Sequence, residues 1–245
     1  MTPILMKALI LAAGLGNRLG DLTTDRPKAM VPVLNRELIL RVFDFLDHPA
    51  ITKKAVVTGY MADDLKNFVK RHAPDTEIFY NPNYKQGSIR TLETAIPFLD
   101  DDFLLMNVDH IYPKRMLPII LHNSKGISAI CDFDRKLGGD DMKVKLDRGN
   151  NMTRIMKTLD DFDGGYIGMT FCKAAHLAKY KEAIKQTRKI YGDESPVEWV
   201  LGHMAANGEK INICDASGVG WLEVDTPDDL KFAEGKLKEN EGFLK

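Results

Sequence analysis

The residues best suited to chemistry come early. Leu11-Ala12-Ala13-Gly14-Leu15-Gly16-Asn17-Arg18-Leu19 follows a short apolar run, and Arg26-Pro27-Lys28 comes soon after. A glycine loop directly after a buried first strand lets backbone N–H groups approach and hydrogen-bond phosphate oxygens. Arg18 adds a bidentate fork and Lys28 a second cation. The simplest anion that needs all of this is a polyphosphate. A P-loop requires GxxxxGK[ST], which is absent. A dinucleotide fingerprint requires G-x-G-x-x-G, with the third glycine at a helix start and an acidic residue closing the second strand. Here Leu19 stands where the third glycine belongs, the next glycine is Gly20, and Glu37, near the right distance, opens a helical segment. A plain strand-to-helix turn explains the glycines but not Arg18 and Lys28 together.

Other polar residues have simpler readings. Asp109 and Asp225, each taken alone, read as loop or helix caps, and only the fold can bring them together. Glu223 shares a strand face with Asp225 by period two. The six histidines show no HExxH or HxxxH spacing, so His110 reads as a strand-end hydrogen bonder rather than a zinc ligand. Cys131, Cys172 and Cys214 are far apart in apolar contexts, which suits core positions on strands and neither a disulfide framework nor a zinc site. Their usage implies a reduced, cytoplasmic protein. Lys179–Lys189 reads as a solvated helix face, and Asp100-Asp101-Asp102 as a loop.

The elements that must position these residues alternate through the first half. Strands are expected at Ala8–Ala12, Ala55–Thr58, Glu77–Tyr80, Phe103–Val108 and Ile127–Phe133. Helical patterns fall at Leu38–Leu46, Met61–His72, Ser88–Phe98 and Met116–His122. Such alternation argues a Rossmann-like α/β fold, a mostly parallel sheet with helices on both faces. In the second half, Lys143–Leu146 and Thr153–Met156 flank Asp147-Arg148-Gly149-Asn150, which reads as a hairpin turn and a small antiparallel insertion. A strand at Gly165–Phe171, helices at Ala174–Arg188 and Pro196–Asn207, and short strands at Ile211–Cys214 and Leu222–Val224 follow. Pro227 opens a last helix, with Thr226 as its N-cap and Asp228 and Asp229 in its first turn. No repeat or linker interrupts the chain. A single domain over 1–245 is expected, with halves near 6–135 and 136–245.

Composition removes several function classes. The chain has 245 residues, 44% of them apolar and 28% charged, enough for a substantial core. Lys plus Arg number 34 and Asp plus Glu 35, without a basic run, which argues against a nucleic-acid partner. No apolar stretch approaches the ~20 residues that span a bilayer, so no membrane insertion is expected. Ala8 to Ala13 resembles a signal-peptide core but is shorter than the usual ~7–15 residues and runs straight into Gly14, Gly16, Asn17 and Arg18, so a buried strand is the better reading. Met6 is a second candidate start, which would make residues 1–5 an extension.

The LAAGLGNRL…RPKAM run resembles the signature of nucleotidyltransferases that activate sugar phosphates and related phosphate monoesters, and the resemblance extends over nearly the whole chain. By it, Arg18 and Lys28 would be catalytic, and Leu11 to Asn17 with Gly87 would bind nucleotide. Asn107-Val108-Asp109 is similar to the family's metal-binding strand end. Trp221-Leu222-Glu223-Val224-Asp225-Thr226-Pro227 is similar to its late hD-T-P-x-D-L segment, so the resemblance makes Asp109 and Asp225 ligands of Mg2+. Asp109-His110-Ile111-Tyr112 resembles the DHIY segment of CTP:myo-inositol-1-phosphate cytidylyltransferases. Met142–Asp147, Ile155–Leu159 and Phe162–Tyr166 resemble the hairpin and D-x-G strand that follow there, which implies acceptor contacts from Lys157, Lys143 and Asp163. The family's GNGYSL-like loop reads Gln86-Gly87-Ser88-Ile89-Arg90-Thr91-Leu92 here.

What the resemblance implies is transfer of CMP from CTP to a small phosphate monoester, with myo-inositol 1-phosphate first. Choline phosphate, aminoethylphosphonate or a hexose 1-phosphate, with CTP, UTP or dTTP, are alternatives. A catalytically silent nucleotide-binding subunit is a further one, and a homo-oligomer is possible. Such chemistry needs no serine, cysteine or general base. The acceptor's second pKa is near ~6, so its phosphate is already largely dianionic. Charge is the obstacle, because two anions must meet and pyrophosphate must leave.

Overall fold

The computed structural model describes residues 5–245, so all but Leu5 of the candidate N-terminal extension lies outside the described residues. β1 (Met6–Ala12) is buried at every position. Both its faces are covered, and its side chains alternate between two cores. Met6, Ala8, Ile10 and Ala12 face one apolar layer, and Leu9 and Leu11 face the other. The glycine loop then tightens into a short helical turn at Asn17–Thr23. A hairpin of β2 (Pro32–Val33) and β3 (Arg36–Glu37) follows, turning through Leu34 and Asn35 at positive φ. Strands this short carry no periodicity, which is why alternation in the sequence does not reveal them.

α1 (Leu38–Phe45), β4 (Ile51–Thr58), α2 (Ala62–His72) and β5 (Glu77–Tyr80) continue the alternation. α2 carries Asp63 and Asp64 in its first turn and Lys70, Arg71 and His72 in its last, complementing its dipole. α3 (Ser88–Thr94) ends earlier than its pattern suggests, giving way to a separate turn over Ile96–Phe98 around Pro97. β6 (Phe103–Asn107), the two-residue β7 (His110–Ile111), α4 (Met116–Asn123) and β8 (Ile127–Asp132) close the first half.

β9 (Lys143–Leu146) and β10 (Met152–Met156) form the expected hairpin. Its turn is tied by Asp147, whose Oδ1 accepts from the N–H groups of Gly149 at 2.7 Å and Asn151 at 2.9 Å. β11 (Gly164–Cys172), α5 (Leu177–Tyr191), α6 (Trp199–Ala206), β12 (Ile211–Asp215), β13 (Leu222–Glu223) and α7 (Pro227–Glu239) complete the chain. α7 starts with the expected Thr226 cap. Thr226 Oγ1 accepts from the Asp229 N–H, and Asp229 Oδ2 accepts from the Thr226 N–H.

The main sheet runs β10-β9-β11-β6-β1-β4-β5, and β8 joins β11 to β12 beside that path. β6, β1, β4 and β5 are mutually parallel, as are β8 and β12. β11 is antiparallel to β6 and β8, so the reversed direction reaches the middle of the sheet and is not confined to the hairpin. α1, α2 and α4 cover one face, and α3, α5 and α6 the other. A third apolar cluster joins Leu19, Val31, Val33, Ile111, Leu222 and Leu237, and so ties the glycine turn to β2, β7, β13 and α7. Cys131, Cys172 and Cys214 are free and buried on β8, β11 and β12. No helix among the described residues is long and apolar enough to cross a membrane.

Candidate active site at the carboxyl ends of β1 and β6

A cleft of about 360 Å3 opens at the carboxyl ends of β1 and β6, where open α/β sheets commonly take ligands. The chain from Leu11 to Gly14, with Gly16, Asn17 and Arg18, forms one wall. Gly16 is in the left-handed region at φ 68°, and a Cβ there would meet Thr23 Cγ2 at 2.9 Å and Lys28 Cβ at 3.0 Å. The glycine thus lets the loop close over the stem of Lys28. Thr23 Oγ1 holds the turn by donating to the carbonyls of Gly16 and Gly20, at 3.2 and 3.1 Å. Tyr84, Gln86, Ser88 and Thr91 face this wall from the start of α3 and the loop before it.

The floor is made of charge. Lys28, 9% exposed, donates to Asp109 Oδ2 at 2.7 Å and to Asp225 Oδ1. Arg18 Nη2 donates to the other oxygen of Asp225, and its guanidinium lies 3.5 Å from Asp140. Asp109 follows directly on β6, whereas Asp225 arrives by a separate route. β7 and β13 pair antiparallel, with Glu223 opposite His110 and Leu222 opposite Ile111. The Val224 N–H then donates to the Asp109 carbonyl at 2.9 Å. The α7 capping box starts two residues on, at Thr226, and Asp229 also accepts from the Asp225 N–H at 3.2 Å. Two distant aspartates are thereby registered by one short ribbon.

Burial alone would raise the Asp109 carboxyl, but Lys28 and His110 hold it well below the usual carboxylate range. Burial likewise opposes the Lys28 charge, and Asp109 and Asp225 more than offset it, leaving the ammonium above its ordinary value. Both groups are therefore charged at neutral pH. Glu223 is pushed up to about 7 by burial, with His110 opposing and Asp109 and Asp225 adding to the rise. Glu198, at the start of α6, is also raised by burial; the Asn107 amide reaches it at 3.5 Å. Nothing in the sequence pattern singles out Glu198 or Tyr84, since neither lies in a recognisable motif.

Five expected site residues stand off this wall. Leu15 is in the loop without lining the cleft. Gly87 instead docks on the 193–195 segment, its N–H donating to the Asp193 carbonyl at 2.9 Å. Lys143 donates to the Lys157 carbonyl at 2.9 Å and lies over the Phe162 ring, and the Lys157 side chain is exposed. Asp163 serves the hairpin. Its Oδ2 accepts from the Leu146 N–H at 2.7 Å, and Lys145 lies at 3.4 Å and 2.6 Å from Asp163 and Asp161.

Residues 8–138 match the family described as the MobA-like NTP transferase domain. The chain is similar to the bifunctional IPC transferase and DIPP synthase of Rubrobacter xylanophilus, 27% identical over 230 residues. That match covers 93% of this chain and 51% of the relative, so the chain spans about half the length of that protein. It is also similar to the CTP:phosphoglutamine cytidylyltransferase of Campylobacter jejuni, 26% identical over 252 residues, covering 92% of this chain and 98% of the other. Among solved structures, the inositol-1-phosphate CTP transferase from T. maritima shares the fold, with a TM-score of 0.82 at 19% identity, covering 98% of this chain and 99% of that one.

Proposed function

We propose that this chain, which belongs to the MobA-like NTP transferase domain family, moves CMP from CTP to a small phosphate monoester, myo-inositol 1-phosphate first among them. The observation that carries the reading is the convergence of Arg18, Lys28, Asp109 and Asp225 beside a glycine loop in one cleft. Cytidylyl transfer in the name of the relative CTP:phosphoglutamine cytidylyltransferase supports it, as does CTP transfer in the name of the inositol-1-phosphate CTP transferase from T. maritima.

An acceptor phosphate oxygen attacks the α-phosphorus as the bond to the β-phosphate oxygen breaks, and pyrophosphate leaves. Lys28 spends two of its three donors on Asp109 and Asp225 and directs the third at the triphosphate. Arg18, whose side chain is 49% exposed, offers its remaining N–H groups to the departing charge. The Gln86 amide oxygen is buried without a partner at the cleft wall, so this amide is free to hydrogen-bond a nucleotide base. Two carboxylates that converge on one ammonium and keep free lone pairs are a fitting donor set for Mg2+, a hard cation that retains water and phosphate oxygens. Bound through Asp109 and Asp225, Mg2+ would neutralise phosphate charge. Lys157, exposed on the strand end of the hairpin, would meet the acceptor phosphate.

A second acceptor is favoured by one observation. Tyr191 and Trp199 stand edge to face with centroids 5.5 Å apart, His203 is 6.2 Å from Tyr191, and with Met156 they line an apolar pocket of about 320 Å3. Such a wall next to Lys157 suits the quaternary ammonium of choline phosphate. A matrix of CTP, UTP, dTTP, ATP and GTP against inositol, choline, ethanolamine and hexose phosphates, followed by pyrophosphate release, tests both. CTP with inositol 1-phosphate is expected to give the highest kcat/KM. A purine preference would sink the reading, and no turnover with any pair would favour a silent nucleotide-binding subunit.

A further inference from the structure

His110 has more invested in its position than a satisfied core histidine needs. The ring is 5% exposed, and its Nδ1 donates to Asp109 Oδ1 at 2.6 Å, the oxygen that Lys28 does not take. Two aromatic rings flank it nearly parallel, Trp221 at 5.2 Å and Tyr112 at 5.7 Å. Each of these is anchored in turn. Trp221 Nε1 donates to Asp132 at 2.9 Å, and the Tyr112 hydroxyl donates to the Ile167 carbonyl. Space for the imidazole comes from Gly168, at φ 76°, where a Cβ would lie 2.9 Å from His110 Cε1. β11 breaks its register with β8 between Tyr166 and Thr170 to place that glycine. The far nitrogen, Nε2, faces Glu223 at 4.0 Å. All of this converges on one hydrogen bond to one carboxylate oxygen.

We infer that His110 is a positioning residue that fixes the plane of the Asp109 carboxylate for divalent metal. With Lys28 on one oxygen and His110 on the other, neither oxygen can rotate out of register, and each keeps a lone pair for the ion. Ligating carboxylates are commonly held by such outer hydrogen bonds, and losing one typically costs about 10–100-fold in metal affinity. The inference rests on the proposed role of Asp109 as a metal ligand.

The test uses Mn2+ with CTP as the probe, its dissociation constant from the 245-residue chain being read by water-proton relaxation, with circular dichroism reporting the fold. His110→Phe keeps a stacked ring and removes the donor; it should weaken Mn2+ by about 10–100-fold. His110→Asn sets an amide N–H near the Nδ1 position and should restore most of the loss, whereas His110→Gln, which mimics Nε2, should not. Asp109→Asn is the control. If it loses Mn2+ while folded His110→Phe binds as the wild type does, the positioning role is wrong and the metal site stands. If Asn and Gln behave alike, the hydrogen bond is not what matters, and that comparison decides the case even if His110→Phe does not fold. Wild-type protein without Mn2+ binding, or Asp109→Asn with wild-type binding, would overturn the metal role and the inference together.

Discussion

The two ends of the candidate site are built on different physical terms. At the glycine-loop end, Lys28, Asp109 and His110 are largely buried, each has two fixed neighbours, and with Asp225 they come from three separate segments. At the hairpin end, Lys143, Lys145 and Lys157 are held by one strand pair and by partners open to water. Buried, mutually bonded charges are costly to disturb, because removing one leaves another unpaired in a poor solvent. Exposed pairs are worth ~0–1 kcal/mol and rearrange easily. In the proposed reaction the rigid end would serve nucleotidyl transfer and the pliable end the choice of acceptor.

Substitutions can break or sharpen this contrast. The largest effect is expected from Asp109→Ala and Asp225→Ala, which should each lower metal-dependent pyrophosphate release by about 10³-fold or more with the circular dichroism spectrum unchanged. Lys28→Ala should lower kcat by about 10²–10³, roughly 2.7–4 kcal/mol of transition-state stabilisation. Retained activity in any of these three would mean the buried end is only scaffold. Lys157→Ala should cost about 10-fold in kcat/KM for the acceptor and leave KM for CTP alone, a split that steady-state kinetics reads directly. If Lys157→Ala has wild-type kinetics toward every acceptor, the hairpin has no part in recognition. Asp163→Ala should behave differently from Lys157→Ala. It removes the acceptor for the Leu146 N–H and should cost about 1 kcal/mol in urea unfolding with little change in kinetics.

The smallest effect is a pH dependence. Glu223, raised to about 7, binds its proton more tightly in the folded protein than in the unfolded chain. Its contribution is full below the unfolded value near 4.5 and is lost as pH rises through about 7. Glu223→Gln should therefore raise Tm relative to wild type at pH 8 and give little difference at pH 4. A Tm gap that grows on acidification would contradict the burial of this carboxyl.

Much of this contrast was legible before any coordinates. The glycine loop, Arg18, Lys28, Asp109 and Asp225 are short motifs at fixed offsets, and each main-sheet strand is an apolar run or alternation that periodicity detects. The Thr226-Pro227-Asp228-Asp229 start of α7 was readable because capping is a local matter. What escaped is whatever depends on pairing between distant segments. The strand at Leu222–Val224 was expected, but its pairing with β7 was not, and β7 itself, like the local β2–β3 hairpin, is too short to carry a period. β11 reads as an ordinary apolar strand, and its antiparallel docking on β6 is a matter of topology. Asp163 sits in a motif that suggests acceptor contact, yet the hairpin backbone claims its carboxylate, since an unpaired strand N–H is a strong local donor. His110 was visible as a hydrogen bonder, but its aromatic flanks and the room left by Gly168 come from Trp221 and β11, far away in the chain.

The ribbon that registers Asp225 beside Asp109 also sets a schedule. β1, β4, β5 and β6 can pair while the chain is still emerging, since all four lie within residues 6–107. β7 cannot pair until β13, Leu222–Glu223, has been made. At roughly 5–20 residues per second, a ribosome needs several seconds to travel from one to the other. During that interval the nascent chain displays the glycine loop, Lys28 and Asp109 without the second carboxylate. A fragment ending before Leu222, whether from stalled synthesis or from proteolysis, would keep most of the sheet and lack Asp225. The cation-rich loop meets its full set of counter-charges only when β13 has brought Asp225 into place.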